Sequence, residues 1–218
     1  PAGEKSPHAF EGGLRKWFEM SGRQKRQSPS DEMPLRAQRT GGMPGWLEWV
    51  IVFAVAIVAS LLIRTYVVDF YEIPSASMLE TIQEGDRVIG EKITYRSSEP
   101  KAQDIVTFED PLDKNTTLIK RVIATGGQTV ELKDGDVYVD SEKLDEPYTL
   151  GKKSLPLDQQ APGVVVSYPY TVPEGYVWVM GDNREDSLDS RYFGAVSISS
   201  ITSRVIWTYW PPSSWGGF

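Results

Sequence analysis

The residues from Trp46 to Ile63, WLEWVIVFAVAIVASLLI, are apolar apart from Glu48 near one end and Ser60. As a helix these eighteen residues extend about 27 Å, close to a hydrocarbon core of roughly 30 Å. Trp46, Trp49 and Tyr66 suit the interfacial belts, and Arg64 can reach the headgroups at the far end. A transmembrane helix over 46–68 is therefore expected. A buried helix of a soluble protein and a cleaved signal sequence share the pattern. Against the second, the stretch before the apolar run is far longer than an ordinary n-region. That stretch, residues 1–45, carries eight basic and five acidic residues. A basic flank favours a cytoplasmic N-terminus, which sends residues 69–218 to the outer face of a plasma membrane crossed once.

Composition removes several kinds of chemistry. The 218 residues suit one tail, one anchor and one globular domain. Without cysteine there is no disulfide, thiolate metal site or Cys nucleophile. The single histidine, His8, lies in the polar tail, so neither a Ser-His-Asp site nor a His-based zinc site is expected. No metal and no cofactor is called for. Residues 65–218 hold fourteen basic and twenty-four acidic residues, a poor electrostatic match for nucleic acid. The tail, rich in Ser, Gly, Pro, Gln and charge, reads as disordered.

Beyond Phe70 the pattern turns β-like. Short β-branched or aromatic runs recur at 87–89, 105–108, 117–124, 129–132, 137–139, 176–180 and 205–210, separated by turn signals. Asp134-Gly135 between two alternating runs predicts a hairpin with a type I′ turn. No long amphipathic helix follows the anchor. The expected fold is mostly β: one N-terminal transmembrane helix, then an antiparallel β domain. Residues 141–173, with five prolines and two glycines, read as a long connection or extension lying on that domain.

Three segments carry candidate chemistry. In Ile73-Pro74-Ser75-Ala76-Ser77-Met78-Leu79, Pro74 biases Ile73 toward extended backbone and the small residues leave the chain open to a substrate. By itself Ser-Ala-Ser after Pro also fits a plain turn. In Thr117–Ala124, strand geometry puts Leu118, Lys120, Val122 and Ala124 on one face. A lysine among apolar neighbours loses its proton more readily and becomes a base near neutral pH. The same pattern also suits a lysine whose ammonium snorkels to water. Arg121 points the other way, toward a carboxylate. The run Gly181–Gly194 is dense in charge. Its spacing does not match a calcium loop, and pairing of its own Asp and Arg residues accounts for it better.

Together these segments resemble the family boxes of type I signal peptidases (leader peptidases). Pro-Ser-x-Ser-Met is similar to the nucleophile box and Lys120-Arg121-Val122 to the base box. The run from Gly181 through Asp182, Asn183, Arg184, Ser187, Asp189, Ser190, Arg191 and Tyr192 to Gly194 is similar to the third box, and Gly85-Asp86-Arg87-Val88 also fits. The resemblance covers the anchor to about Gly194. It implies a membrane-bound serine endopeptidase that removes signal peptides from exported pre-proteins by acyl transfer. Ser77 would be the nucleophile and Lys120 the general base. The Ser77 N–H and the Ser75 hydroxyl would hold the oxyanion, and Ser187 would orient the Lys120 amine. Arg121, Asp182, Asp189 and Arg191 would brace the site by ion pairs. Tyr71, Ile73, Met78, Ile82 and Ile119 would line pockets for small side chains, with an extended substrate added beside Tyr71–Ile73. Partners implied are signal-peptide-bearing pre-proteins and membrane lipid. The chain departs from the family pattern at Ala76, Glu80, Leu118 and Glu185-Asp186, none of which is a reacting group.

Rival readings remain at this point. Ser98-Glu99-Pro100-Lys101 matches the Ser-x-x-Lys of penicillin-recognising enzymes, but Pro100 opposes the helical turn that motif needs. A tethered β domain that only binds extended peptides would share the anchor and the strands. An autoproteolytic Ser–Lys repressor would need a DNA-binding segment that is not evident. The aromatic run Trp207–Phe218 suits either core packing with a frayed end or a surface resting on lipid headgroups.

Overall fold

The computed structural model describes residues 44–218. Nearly all of the polar tail, His8 included, lies outside the described residues. The chain separates into two units, Pro1–Glu48 and Trp49–Phe218. Helix α1 (Gly45–Tyr66) contains the apolar run, and none of its residues is buried. The core helix of a soluble protein is mostly buried, and α1 is not. By length and composition α1 can cross a membrane. Within the second unit the end of α1 is held by Arg96, which donates to Tyr66 O and lies 5.7 Å over the Tyr66 ring.

The protein is otherwise mostly antiparallel β. In chain order the strands are β1 (Val68–Glu72), β2 (Arg87–Glu91), β3 (Ile105–Glu109), β4 (Thr117–Thr125), β5 (Thr129–Lys133), β6 (Asp136–Val139), β7 (Glu142–Lys143), β8 (Tyr170–Thr171), β9 (Tyr176–Met180), β10 (Val196–Ser197), β11 (Ile201–Trp210) and β12 (Gly216–Gly217). A short helix, α2 (Ser190–Phe193), follows β9. The main sheet runs β1-β2-β11-β3-β4-β9-β10, with β12 on β11; a second sheet runs β7-β6-β5-β8. Asp134 and Gly135 have φ of 58° and 93°, the left-handed values a type I′ turn requires, and they set the register Lys133↔Asp136.

Three apolar clusters hold the sheets. One joins Val106, Phe108, Val122, Val179 and Phe193, with Leu118 against it. A second joins Ile73, Met78, Ile82, Val88, Ile105, Ile119 and Val205, with Tyr71 against it. The third packs Ile123, Val130, Val137 and Met180 around Trp178 under the second sheet. The first half of β11 escapes the hydrophobic pattern because Thr202, Ser203 and Arg204 are polar. Ser203 is nevertheless buried, satisfied by the Thr107 hydroxyl at 2.6 Å. The segment 141–173, read as a connection or extension, holds regular structure of its own. It contributes β7, β8 and a 3-10 turn at Pro147–Thr149, and its polar side chains reach the site described next.

Candidate active site

Ser77 sits in a 3-10 turn, Ala76–Met78, between β1 and β2. Two apolar anchors hold the turn: Ile73 before it and Met78 within it are both buried in the second cluster. Backbone bonds Ile73 N–H to Asp86 O and Gly85 N–H to Ile73 O close the loop behind it. Lys120 comes from the middle of β4, opposite Val106 of β3. Its neighbours two positions away, Leu118 and Val122, pack into the first cluster. The two side chains therefore meet where the clusters adjoin. Lys120 Nζ donates to Ser77 Oγ at 2.7 Å and to Ile119 O at 3.0 Å.

Only 3% of Lys120 is exposed. Burial lowers its pKa from 10.5 to about 8; Asp189, Asp110 and Asp182 pull it back up and Arg191 pushes it down. Burial dominates because, among the described residues, no carboxylate is in direct contact with the ammonium. An amine held this way releases its proton in the range where a serine base must work.

Arg121, one residue on, is treated oppositely. Its Nε donates to Asp182 Oδ1 at 2.9 Å and its Nη2 to Asp182 Oδ2 at 2.6 Å, a two-pronged pair. Nη1 donates to Gln103 O, and the guanidinium lies 4.0 Å over the Tyr148 ring. Thr81 Oγ1 also donates to Asp182. Asp189 caps α2 and pairs with Arg191, while its Oδ2 accepts from Gly181 N–H. The expected pairing within the run 181–194 holds for Asp189–Arg191 alone. Asp182 faces β4, and Arg184 turns to Glu146 and Ser154 of the extension. Within its own loop the Arg184 side chain makes only a backbone contact, Nε donating to Gly181 O at 2.9 Å.

Gly181 brings this loop against the turn that carries Ser77. A Cβ there would lie 2.3 Å from Ser187 Oγ and 2.5 Å from Ser77 O, so no larger residue fits without moving backbone. Ser187 Oγ is buried and makes no hydrogen bond among the described residues; the Lys120 bonds run to Ser77 Oγ and Ile119 O. Ser75 is exposed, and its Oγ stands 3.5 Å from Ser77 Oγ, longer than a good hydroxyl hydrogen bond. Tyr71, Ile73, Met78, Ile82 and Ile119 come together as one apolar patch beside Ser77. Met78 and Ile82 have no exposed surface, so Ile119 and Tyr71 form its accessible part. Residues Ser98–Lys101 are not helical, as Pro100 requires.

Several contributors carry little local signal. Asn183 N–H donates to Ser77 O and Asn183 Nδ2 to Ala76 O, both at 3.0 Å. Asn183 and Arg184 stand in the third segment and were legible there as members of a motif. Glu146, Tyr148, Lys152 and Ser154 lie in the Pro- and Gly-rich extension, where no periodicity marks them. Burial, and then the Glu146 carboxylate, raise the Tyr148 pKa, keeping its hydroxyl a donor to Glu146 Oε1 at 2.9 Å.

Residues 46–210 match a family model described as signal peptidase, peptidase S26. The chain is 39% identical over 176 residues to a probable signal peptidase I-1 of Synechocystis sp., across 78% of this chain and 85% of that protein. It is 35% identical over 168 residues to signal peptidase I of Bacillus caldolyticus, across 75% and 90%. It is 36% identical over 168 residues to thylakoidal processing peptidase 1 of Arabidopsis thaliana, across 72% of this chain and 46% of that protein, so it spans about half of that relative.

Proposed function

The chain belongs to the signal peptidase family, peptidase S26, and is a signal peptidase I-type peptidase; from that premise we propose that it removes signal peptides from exported pre-proteins with Ser77 as nucleophile and Lys120 as base. The observation that carries the reading is the 2.7 Å contact between Lys120 Nζ and Ser77 Oγ, with the amine buried and its pKa lowered to about 8.

The steps follow from that contact. The neutral amine takes the Ser77 proton as Oγ attacks the carbonyl after the signal peptide, giving a tetrahedral oxyanion. The Ser77 N–H and the Ser75 hydroxyl are its donors, the latter after a small rotation from its present 3.5 Å. Lys120 then passes the proton to the leaving amine and breaks the C–N bond. A water, deprotonated by Lys120, hydrolyses the acyl-enzyme and restores Ser77. Ser187 orients the ammonium that forms at each step. Its buried hydroxyl, unpartnered among the described residues, supports this role. The ion pairs Arg121–Asp182 and Arg191–Asp189 hold the two loops in place. The small accessible part of the apolar patch, at Tyr71 and Ile119, favours short side chains before the cut. Helix α1 anchors the enzyme with its N-terminus in the cytoplasm and residues 69–218 outside.

Cleavage of a pre-protein by the full chain in detergent tests the assignment. Ser77→Ala and Lys120→Ala are each expected to lower kcat by at least about 10³-fold with the fold intact. Near-full activity in either variant removes the dyad.

A further inference from the structure

Asn183 is buried, and both of its ends are occupied. Nδ2 donates to Ala76 O at 3.0 Å, and Oδ1 accepts from Lys152 Nζ at 2.9 Å. An amide side chain is nearly symmetric in shape, so its neighbours decide which end faces which way. Lysine has only donors, so Lys152 compels Oδ1 to face it. The NH2 end is thereby turned toward Ala76 O. With the amide reversed, Oδ1 would confront a carbonyl oxygen and the bond would become a repulsion.

Ala76 O belongs to the same planar peptide unit as the Ser77 N–H. In a trans unit the C=O and N–H point in opposite directions, so fixing one aims the other. The carbonyl also accepts from Leu79 N–H at 3.2 Å within the 3-10 turn. On the far side of Ser77, its own carbonyl accepts from Asn183 N–H at 3.0 Å. One residue thus pins the peptide units before and after the nucleophile.

Lys152 belongs to the extension, and the same segment holds the third loop at other points. Glu146 and Ser154 take Arg184, and Tyr148 lies over Arg121. Lys152 is the one contact of this set that reaches the nucleophile turn through a single intervening side chain.

We propose that Lys152 is a positioning residue: by fixing the Asn183 amide it aims the Ser77 N–H at the oxyanion. This rests on the Ser77–Lys120 reading above. Interactions realised only in the transition state change kcat and leave KM alone.

The test uses the full chain in detergent with a pre-protein substrate and a peptide aldehyde, which adds to a serine to form a tetrahedral oxyanion. Lys152→Met is expected to lower kcat about tenfold at unchanged KM, short of the 10²–10³ for deleting an oxyanion donor outright. Aldehyde affinity should weaken by a similar factor. The midpoint of the pH–rate profile should stay where it is, since Lys120 is untouched. Lys152→Arg, which also only donates, should restore most of the activity. Asn183→Ser removes the same bond from the other end and serves if Lys152→Met does not fold. Unchanged kcat, or a rise in KM alone, overturns the proposal. Ser77→Ala assayed alongside separates the two claims: if it stays active, the dyad reading fails; if it is dead while Lys152→Met is normal, only the Lys152 inference fails.

Discussion

The two faces of β4 treat adjacent cations in opposite ways. On one face Arg121 meets a carboxylate with both prongs, a backbone carbonyl and an aromatic ring. On the other, Lys120 is buried with a serine hydroxyl and one carbonyl, while its carboxylates act only from a distance. Arginine keeps its charge under all ordinary conditions, so a buried guanidinium must be fully partnered. Lysine can escape the cost of burial by losing its proton, which is what a general base has to do. A cation that must keep its charge and one that can give it up thus differ less in position than in how completely they are paired.

The sharpest test of that contrast is stability, because the two cations should have opposite signs. Removing one member of a buried, hydrogen-bonded pair leaves the other charge uncompensated. Asp182→Ala or Arg121→Met should destabilise the folded chain by roughly 3–5 kcal/mol in denaturant unfolding. A loss below about 1 kcal/mol would mean that solvent reaches the pair.

Lys120→Met should do the reverse. The folded pKa of about 8 lies below the ordinary 10.5, so the ammonium form opposes folding. The penalty is fully present below pH 8, shrinks between pH 8 and 10.5, and is gone above that. Its size below pH 8 corresponds to roughly 3 kcal/mol. The variant is expected to be more stable than the parent at pH 7 by up to that amount, and the gap should close by about pH 10.5. A variant less stable at pH 7 would show that the ammonium is held by net favourable contacts.

Activity should report the same titration. With a midpoint near 8, about one-tenth of Lys120 is neutral at pH 7 and about nine-tenths at pH 9. Pre-protein cleavage should then rise roughly tenfold between those values and level off above. A flat profile would detach Lys120 from the rate. The smallest effect expected is from Asp110→Asn. Asp110 favours the ammonium from a distance, so its loss should move the midpoint down and speed cleavage at pH 7 by less than about twofold. No change is expected at pH 9.5, and slower cleavage at pH 7 would reverse the assigned sign.

Much of the fold was readable because its signals are local. Tyr176–Met180 and the Asp134-Gly135 hairpin came from alternation and turn chemistry, which act over a few residues. The two-residue strands β7, β8, β10 and β12 are too short to show a period. The polar start of β11 was hidden because its burial is satisfied by one hydroxyl, that of Thr107, on a strand nearly a hundred residues away. At the site, the residue types were legible as motifs, but their partners were not. Nothing local to Arg184 says that it turns to Glu146 rather than to an aspartate of its own loop.

The sequence by itself determined the apolar helix, the alternation along β4 and the absence of any Cys or centrally placed His. Those follow from composition and from the two- and 3.6-residue periods of the backbone. Only the tertiary structure decided which cation was left without a carboxylate contact, and which extension residue reached the turn carrying Ser77. Desolvation and pairing depend on what the rest of the chain packs against a residue, and that is set by contacts between segments distant in sequence.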